Sequence, residues 1–310
     1  MPNPNGPAAP DENRYRTVDV PVPGGELRVG IWEPAAPAGP GAELPTVVAV
    51  HGVTSSHRAW LSLANRLTEF RIIAPDLRGR GRSNKLPGPY GMARHADDIA
   101  AVLDFLDAPP AVMVGHSMGG FVTVALHGRH PERFRALVLV DGGLPLPAPE
   151  GISDDDLTTA RLGLAKQRMS MTFPDRESYR AFWQAHPAFA ADWSPEVVDY
   201  VDYDLVGEAP ELRSATTFAS MAEDSADLQS GGDWLLAALA GLPTPTPFLR
   251  AEGGMAGEPI GLYPPDWINA WQQRLPAIDV REVRGVNHYT ILFNEIGTTA
   301  VAQAIRTAIR

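Results

Sequence analysis

The sequence predicts an α/β protein: a mostly parallel sheet flanked by helices, with a helical insertion late in the chain. Three observations carry this expectation. Short, β-branched apolar runs recur along the chain and end in glycine or aspartate. Helical patterns separate most of them. Residues 145 to 245 contain no strand-like run at all. Strands that alternate with helices and are apolar on both faces belong in a parallel sheet covered on both sides.

In chain order, the opening "MPNPNGPAAPDEN" is rich in Pro, Asn and Gly and has the composition of a disordered tail, assigned to residues 1–14. It has neither the basic nor the apolar region of a signal peptide. Val18 to Val20 and Leu27 to Trp32 read as early strands joined by the turn "PVPGGE". "TVVAVHG" (Thr46–Gly52), "RIIAPD" (Arg71–Asp76), "AVMVGHS" and "ALVLVDGG" (Ala136–Gly143) read as four buried strands. "TPFLRAE" and "IDVREV" add two more near the C-terminus. Helices are expected over His57–Phe70, where Trp60, Leu61, Ala64 and Leu67 share a face, and over Met92–Leu106. The insertion, 145–245, offers helical patches at Asp154–Met171, Arg176–His186, Pro195–Val206, Ser214–Leu228 and Asp233–Leu239, divided by Pro and Gly. The core domain is thus expected from 15–144 and 246–310, and the insertion is expected to form a lid.

Composition narrows the function. The 310 residues are 44% apolar and 20% charged, which suits a globular protein with a sizeable core. A formal net charge of −11 argues against nucleic acid or an anionic membrane surface as partner. The chain has no cysteine, so disulfides, thiolate chemistry and Cys-based zinc sites are excluded. No run approaches the roughly 18 apolar residues of a membrane span. A cytoplasmic location is the expectation.

The stretch "AVMVGHSMGGF", Ala111 to Phe121, carries the chemistry. It places Ser117 directly after a buried strand, where ligands bind in open parallel sheets. Gly115 and Gly119 stand two residues to either side. This is G-x-S-x-G, a tight strand-to-helix turn that needs small neighbours to hold a strained serine. The following helix, Met118–Gly128, aims its N-terminal N–H groups at charge developing beside that serine. A serine nucleophile needs a base. Of the eight histidines, His288 in "VRGVNHYTILF" follows the last strand and precedes the C-terminal helix, at the same sheet edge as Ser117. An oxyanion needs donors. The backbone N–H of Met118 is one; the N–H of Val53, in the loop after "TVVAVHG", is the other.

With these residues in place, the chain resembles the α/β-hydrolases of the lid-bearing esterase and lactonase type. The resemblance covers roughly residues 15 to 310. It rests on "VAVHGVTSS", "APDLRGRGRS", "VGHSMGG", "LVLVDGG" and "GVNHYT", in the family's order. It implies an eight-stranded, mostly parallel sheet, a helical lid and a Ser–His–acid triad, with no metal and no organic cofactor. Dehalogenases and epoxide hydrolases of this fold carry an aspartate where this chain has Ser117. "GHSMGG" lacks the lysine of a P-loop, and "GRGRSN" lacks the third glycine of a dinucleotide fingerprint. Asp154, Asp155 and Asp156 read as a helix's first turn behind Ser153 as N-cap. Asp76 reads as a strand-end carboxylate bonded to the "RGRG" turn.

The third member of the triad departs from the family's common pattern. Most relatives carry it after the strand that follows the lid, where this chain reads "PFLRAEGGMAGEP" with glycine near the expected position. Some relatives carry it one strand earlier, which here is Asp141 at the end of "ALVLVDGG". Asp141 is therefore the preferred acid and Glu252 the alternative; Glu258 lies further along the loop. The resemblance implies cleavage of an ester or lactone. A C–C bond hydrolase or cofactor-free perhydrolase uses the same triad, and a low-turnover ligand receptor the same fold. The apolar side chains of the insertion point to a medium-sized apolar small-molecule substrate. Trp60, Phe121, Met169, Phe173 and Trp183 are expected to line its cleft.

Overall fold

The chain is described by a computed structural model covering residues 14–36, 44–147, 163, 165–230, 232–243 and 245–309. Its strands are β1 (Tyr15–Val22), β2 (Gly25–Trp32), β3 (Thr46–Val50), β4 (Arg71–Pro75), β5 (Ala111–His116), β6 (Phe134–Val140), β7 (Leu205–Val206), β8 (Arg213–Ser214), β9 (Thr246–Gly253) and β10 (Ile278–Asn287). Eight form one sheet in the order β1-β2-β4-β3-β5-β6-β9-β10. The β1–β2 and β2–β4 pairs are antiparallel and the remainder parallel. This is the α/β-hydrolase fold that the sequence implies.

Alternation along the central strands divides the core in two. Val48, Val50, Met113, Leu137, Leu139 and Phe248 enter one apolar cluster. Their neighbours Val47, Val112, Val114, Val138, Val140 and Leu249 enter the other. A strand sends successive side chains to opposite faces, so each cluster fills one face of the sheet. The first face is covered by helices α2 (Met92–Phe105) and α3 (Met118–Arg129). The second carries α1 (Leu61–Arg66) and the C-terminal helix. The segment expected as one helix over His57–Phe70 is a 3-10 turn at His57–Trp60 followed by α1, which stops before Leu67.

Between β6 and β9, helices α4 (Arg176–Gln184), α5 (Pro195–Tyr203), α6 (Phe218–Ser230) and α7 (Gly232–Ala240) follow one another. Residues 165–170 are also helical. Two departures from the sequence reading stand out. β7 and β8 pair as a small antiparallel hairpin, so the region is not wholly helical, and Ser214 lies in a strand rather than at a helix start. Helix α7 buries Leu235 and Leu239 in the same cluster as Phe121 and Val124, so it forms part of the layer over the sheet. The acidic run Asp154–Asp156 with Ser153, most of the patch Asp154–Met171 and the tail up to residue 13 lie outside the described residues. The remaining helices are α8 (Pro265–Arg274) and α9 (Glu295–Ala308).

The insertion is tied to the core by polar contacts. Arg58 Nε donates to Asp199 Oδ2 on α5 at 2.5 Å, and Tyr203 at the end of α5 donates to Asp76 Oδ2 at 2.7 Å. Arg82 stacks over the Tyr203 ring at 4.3 Å. Asp76 also accepts the Arg82 N–H at 2.8 Å, directly after the "RGRG" turn.

Candidate active site

Strand β5 ends in the middle of the sheet and delivers Ser117 at φ +55° and ψ −126°, a conformation L-residues avoid. The turn leaves no room for a side chain at either flanking glycine. A Cβ on Gly115 would lie 2.3 Å from the Gly119 carbonyl oxygen, and one on Gly119 would lie 2.1 Å from that of Val50. The Ser117 N–H donates to the Val140 carbonyl at 3.0 Å, and its own carbonyl accepts the Gly120 N–H at 2.9 Å. The strained residue is thereby held from both sides. Ser117 is also the N-cap of α3, so Met118 opens that helix with an N–H that has no intrahelical partner.

Two neighbouring strands bring the other residues. Asp141 follows β6 at φ +46° and is fully buried. Its N–H donates to the Leu249 carbonyl at 2.8 Å, and its Oδ1 accepts the Ala251 N–H at 3.1 Å. Its Oδ2 lies 2.7 Å from His288 Nδ1. A carboxylate accepts, so Nδ1 carries the proton and Nε2 is the basic nitrogen. Glu252 has a different neighbour. It is exposed and accepts the Gly285 N–H at 2.8 Å. Glu258 accepts the Ala256 N–H at 2.8 Å. Of the carboxylates weighed from the sequence, Asp141 is the one that meets His288.

Two further histidines, His116 and His51, hold this arrangement in place. His116 Nε2 donates to the His288 carbonyl at 2.8 Å, and the two rings lie 4.7 Å apart. Burial, followed by the charge of the neighbouring His288, pushes the His116 pKa well below the usual histidine value, so it stays neutral. His51 Nε2 accepts the Leu77 N–H at 2.9 Å, which leaves the proton on Nδ1. That Nδ1 donates to the Gly52 carbonyl at 2.7 Å. The Gly52 carbonyl and the Val53 N–H belong to one peptide plane, so His51 fixes the direction of the Val53 N–H. Burial lowers the His51 pKa to about 3. Gly52 lies against Ser117: a Cβ there would sit 3.1 Å from Ser117 Cβ.

Ser117 and His288 line one small cavity of about 30 Å³ together with Val53, Tyr200, Met255 and Phe293. An outer cavity of about 270 Å³ adjoins it through Ala165, Met255 and Tyr289, and adds Ile260, Leu262, His186 and Glu258. The five side chains expected along the cleft lie elsewhere. Trp60 is fully buried under the sheet and Phe121 in the opposite core cluster. Phe173 packs edge-on against Tyr179 at 4.7 Å, and Trp183 against Phe189 at 5.5 Å, inside the insertion. Met169 is partly buried. None of the five is among the residues lining these two cavities. Large apolar groups gain most from complete burial, and Trp60, Phe121, Phe173 and Trp183 have taken it among other apolar side chains. The apolar wall is supplied instead by Tyr200, Met255, Tyr289, Leu292 and Phe293. Among the described residues, no group of three or more His, Asp or Glu side chains is arranged to hold a metal ion. None of the helices of the described residues is long and apolar enough to cross a membrane.

A family profile described as alpha/beta hydrolase fold matches residues 45–228, more than half of the chain. The chain belongs to the α/β hydrolase fold family. Within it, the chain is 41% identical over 121 residues to Lipase LipV of Mycobacterium tuberculosis, a match covering 39% of this chain and 43% of that one. A longer match, 28% identical over 268 residues, is to 2-(acetamidomethylene)succinate hydrolase of Mesorhizobium japonicum and covers 86% of this α/β-hydrolase and 88% of the relative. The crystal structure of an E-2-(acetamidomethylene)succinate hydrolase superimposes with a TM-score of 0.74 at 23% identity, over 95% of this chain and 99% of that one. The first of these curated relatives is thus spanned over about two fifths of its length.

Proposed function

We propose that this α/β-hydrolase is a serine hydrolase that cleaves a carboxylic ester or lactone through an acyl-enzyme. The observation that carries the reading is the 2.7 Å bond from His288 Nδ1 to Asp141, with Ser117 and His288 facing one cavity. His288 Nε2 takes the Ser117 proton as Oγ attacks the carbonyl carbon. Asp141 keeps the tautomer and stabilises the imidazolium. The Val53 and Met118 N–H groups receive the oxyanion. His288 then protonates the leaving alcohol, and a water activated by the same nitrogen releases the acid.

The cavities support a neutral, largely apolar small molecule as substrate. The space beside Ser117 is narrow, so a slim acyl or alcohol portion belongs there. The wider chamber lined by Met255, Ile260, Leu262 and Tyr289 suits the bulkier apolar portion. The insertion, in this reading, is the lid of that chamber. The test is a series of p-nitrophenyl esters from acetate to palmitate, a charged hemisuccinate and several lactones. A burst equal to the enzyme concentration followed by steady turnover is expected, with neutral short-to-medium substrates ahead of the charged one. A single turnover with no steady state would instead indicate a receptor. Silence toward every ester and lactone, in protein whose Ser117 reacts with a fluorophosphonate, would move the assignment to C–C bond or perhydrolase chemistry.

A further inference from the structure

We propose that Arg80 is a positioning residue for the oxyanion site, held in place by a carboxylate from the insertion. The inference rests on the reading of Val53 and Met118 as oxyanion donors.

Arg80 lies in the "RGRGRS" turn after β4 and is fully buried. Its guanidinium reaches both of those residues. Nε donates to the Val53 carbonyl at 2.8 Å, and one terminal nitrogen lies 4.0 Å from the Met118 sulfur. A second bond, from Nη1 to the Arg78 carbonyl at 2.9 Å, closes the turn upon itself. Val53 is thus clamped at both of its peptides. His51 holds the one that carries its N–H, and Arg80 holds the next.

A buried guanidinium needs a counter-charge. It comes from α6. Asp224 Oδ2 lies 2.5 Å from Arg80 Nη1, and both side chains are fully buried. Asp224 is saturated in turn. It accepts the Gly91 N–H at 2.6 Å and meets His95 Nε2 at 3.0 Å. The start of α6 grips the same turn, with the Thr217 N–H donating to the Gly79 carbonyl at 3.0 Å and Ser220 Oγ to it at 3.3 Å. The donor loop is therefore fixed by a chain of contacts from Val53 through Arg80 to Asp224. That chain runs from a loop at the sheet edge into the inserted region. A planar fork is what serves three directions at once. Lysine, a point charge on a flexible stem, keeps the charge but not the simultaneous bonds to Val53, Arg78 and Asp224.

The test is Arg80→Lys, with Asp224→Asn as a second variant, each compared with wild type per active site titrated by a fluorophosphonate. Turnover of p-nitrophenyl butyrate and inhibition by an aryl trifluoromethyl ketone are measured together. The ketone adduct places an oxyanion where the transition state does. Arg80→Lys is expected to lower kcat about ten- to a hundredfold, below the loss for removing a donor outright. Affinity for the ketone falls in parallel, while KM changes little. Asp224→Asn moves both quantities in the same direction by a smaller factor. A purely structural role would lower Tm and the titratable fraction, yet leave kcat per site and ketone affinity alone; that result overturns the proposal. If Arg80→Lys does not fold, Asp224→Asn decides by the same two readouts. Failure of the underlying reading is visible beforehand, since wild type would then neither titrate with the fluorophosphonate nor bind the ketone.

Discussion

Among the described residues, two buried His–Asp pairs share a length of 2.7 Å, and of these two it is His288 that lines the cavity beside Ser117. His288 Nδ1 lies 2.7 Å from Asp141, and His57 Nδ1 lies 2.7 Å from Asp76. Each carboxylate follows a strand of the sheet. The difference lies at the second ring nitrogen. His57 Nε2 is occupied by the Tyr15 hydroxyl at 2.7 Å, and Asp76 also takes N–H donors from His57 and Arg82 and the Tyr203 hydroxyl. His288 lines the space in front of Ser117. A short His–carboxylate bond is thus no mark of catalysis. In the proposed mechanism His288 serves as the base, whereas His57, bonded at both ring nitrogens, is a joint within the core. Burial alone would raise the Asp76 pKa, yet His57 and the backbone donors around it hold it well below the usual carboxylate range. Asp76 therefore remains an anion that fastens α5 to the sheet.

The largest effect is expected at Ser117. Ser117→Ala is expected to cost about 10⁶ in kcat, the size of loss seen when a triad serine is removed. The fold should be intact by circular dichroism, since the elbow strain belongs to the backbone. Retention of even a tenth of wild-type turnover would refute the role. Next in size, Asp141→Asn should lower kcat about 10⁴-fold by leaving the wrong His288 tautomer. Glu252→Gln serves as its control and should leave turnover unchanged.

The other pair should answer in stability. Asp76→Asn removes a buried carboxylate bonded to His57, the Arg82 N–H and the Tyr203 hydroxyl, and is expected to cost about 3 kcal/mol in denaturant unfolding. Turnover per titrated site should change far less than in Asp141→Asn. Equal losses of turnover in the two variants would erase the distinction drawn between the pairs.

A smaller and graded effect follows from acid. His51 and His116 have lowered pKa values in the folded chain and near-normal ones when unfolded. Below about pH 6.5 the unfolded state binds more protons, so stability falls as pH drops. The slope is about 1.4 kcal/mol per pH unit for each group. His51 continues to contribute until about pH 3. Asp224 adds to the loss below pH 4, because burial would raise its pKa but His95 and Arg80 hold it at about 2. Urea unfolding between pH 7.5 and 5 should therefore show a steady decline. A flat profile over that range would mean these histidines are not held neutral.

Much of this was legible in the sequence, and the gaps have physical causes. The strands, the elbow and His288 could be read because their signals are local: β-branched runs, glycines at fixed offsets and a histidine after the last strand. The choice between Asp141 and Glu252 could not be closed, because both end neighbouring strands and a sequence gives no direction to a carboxylate. The structure separates them through the Gly285 N–H, which Glu252 takes instead. The roles of His116 and Arg80 depend on partners far along the chain, His288 and Asp224, and no spacing rule reports them. The hairpin β7–β8 has two residues in each strand, too few to show a period. The expected cleft residues were misplaced because size and hydrophobicity do not say which way a side chain faces. Trp60 and Phe121 went to the core, while Tyr289 and Met255, unremarked in the sequence, reached the cavity.

Whether Ser117 is the nucleophile and His288 its base is decided by fluorophosphonate labelling followed by peptide mapping. The expected result is one phosphonyl group per chain, on Ser117, with labelling slowed by orders of magnitude in His288→Ala and unaffected in His57→Gln. Label on another residue, or sustained ester turnover by a chain that takes up none, would contradict it.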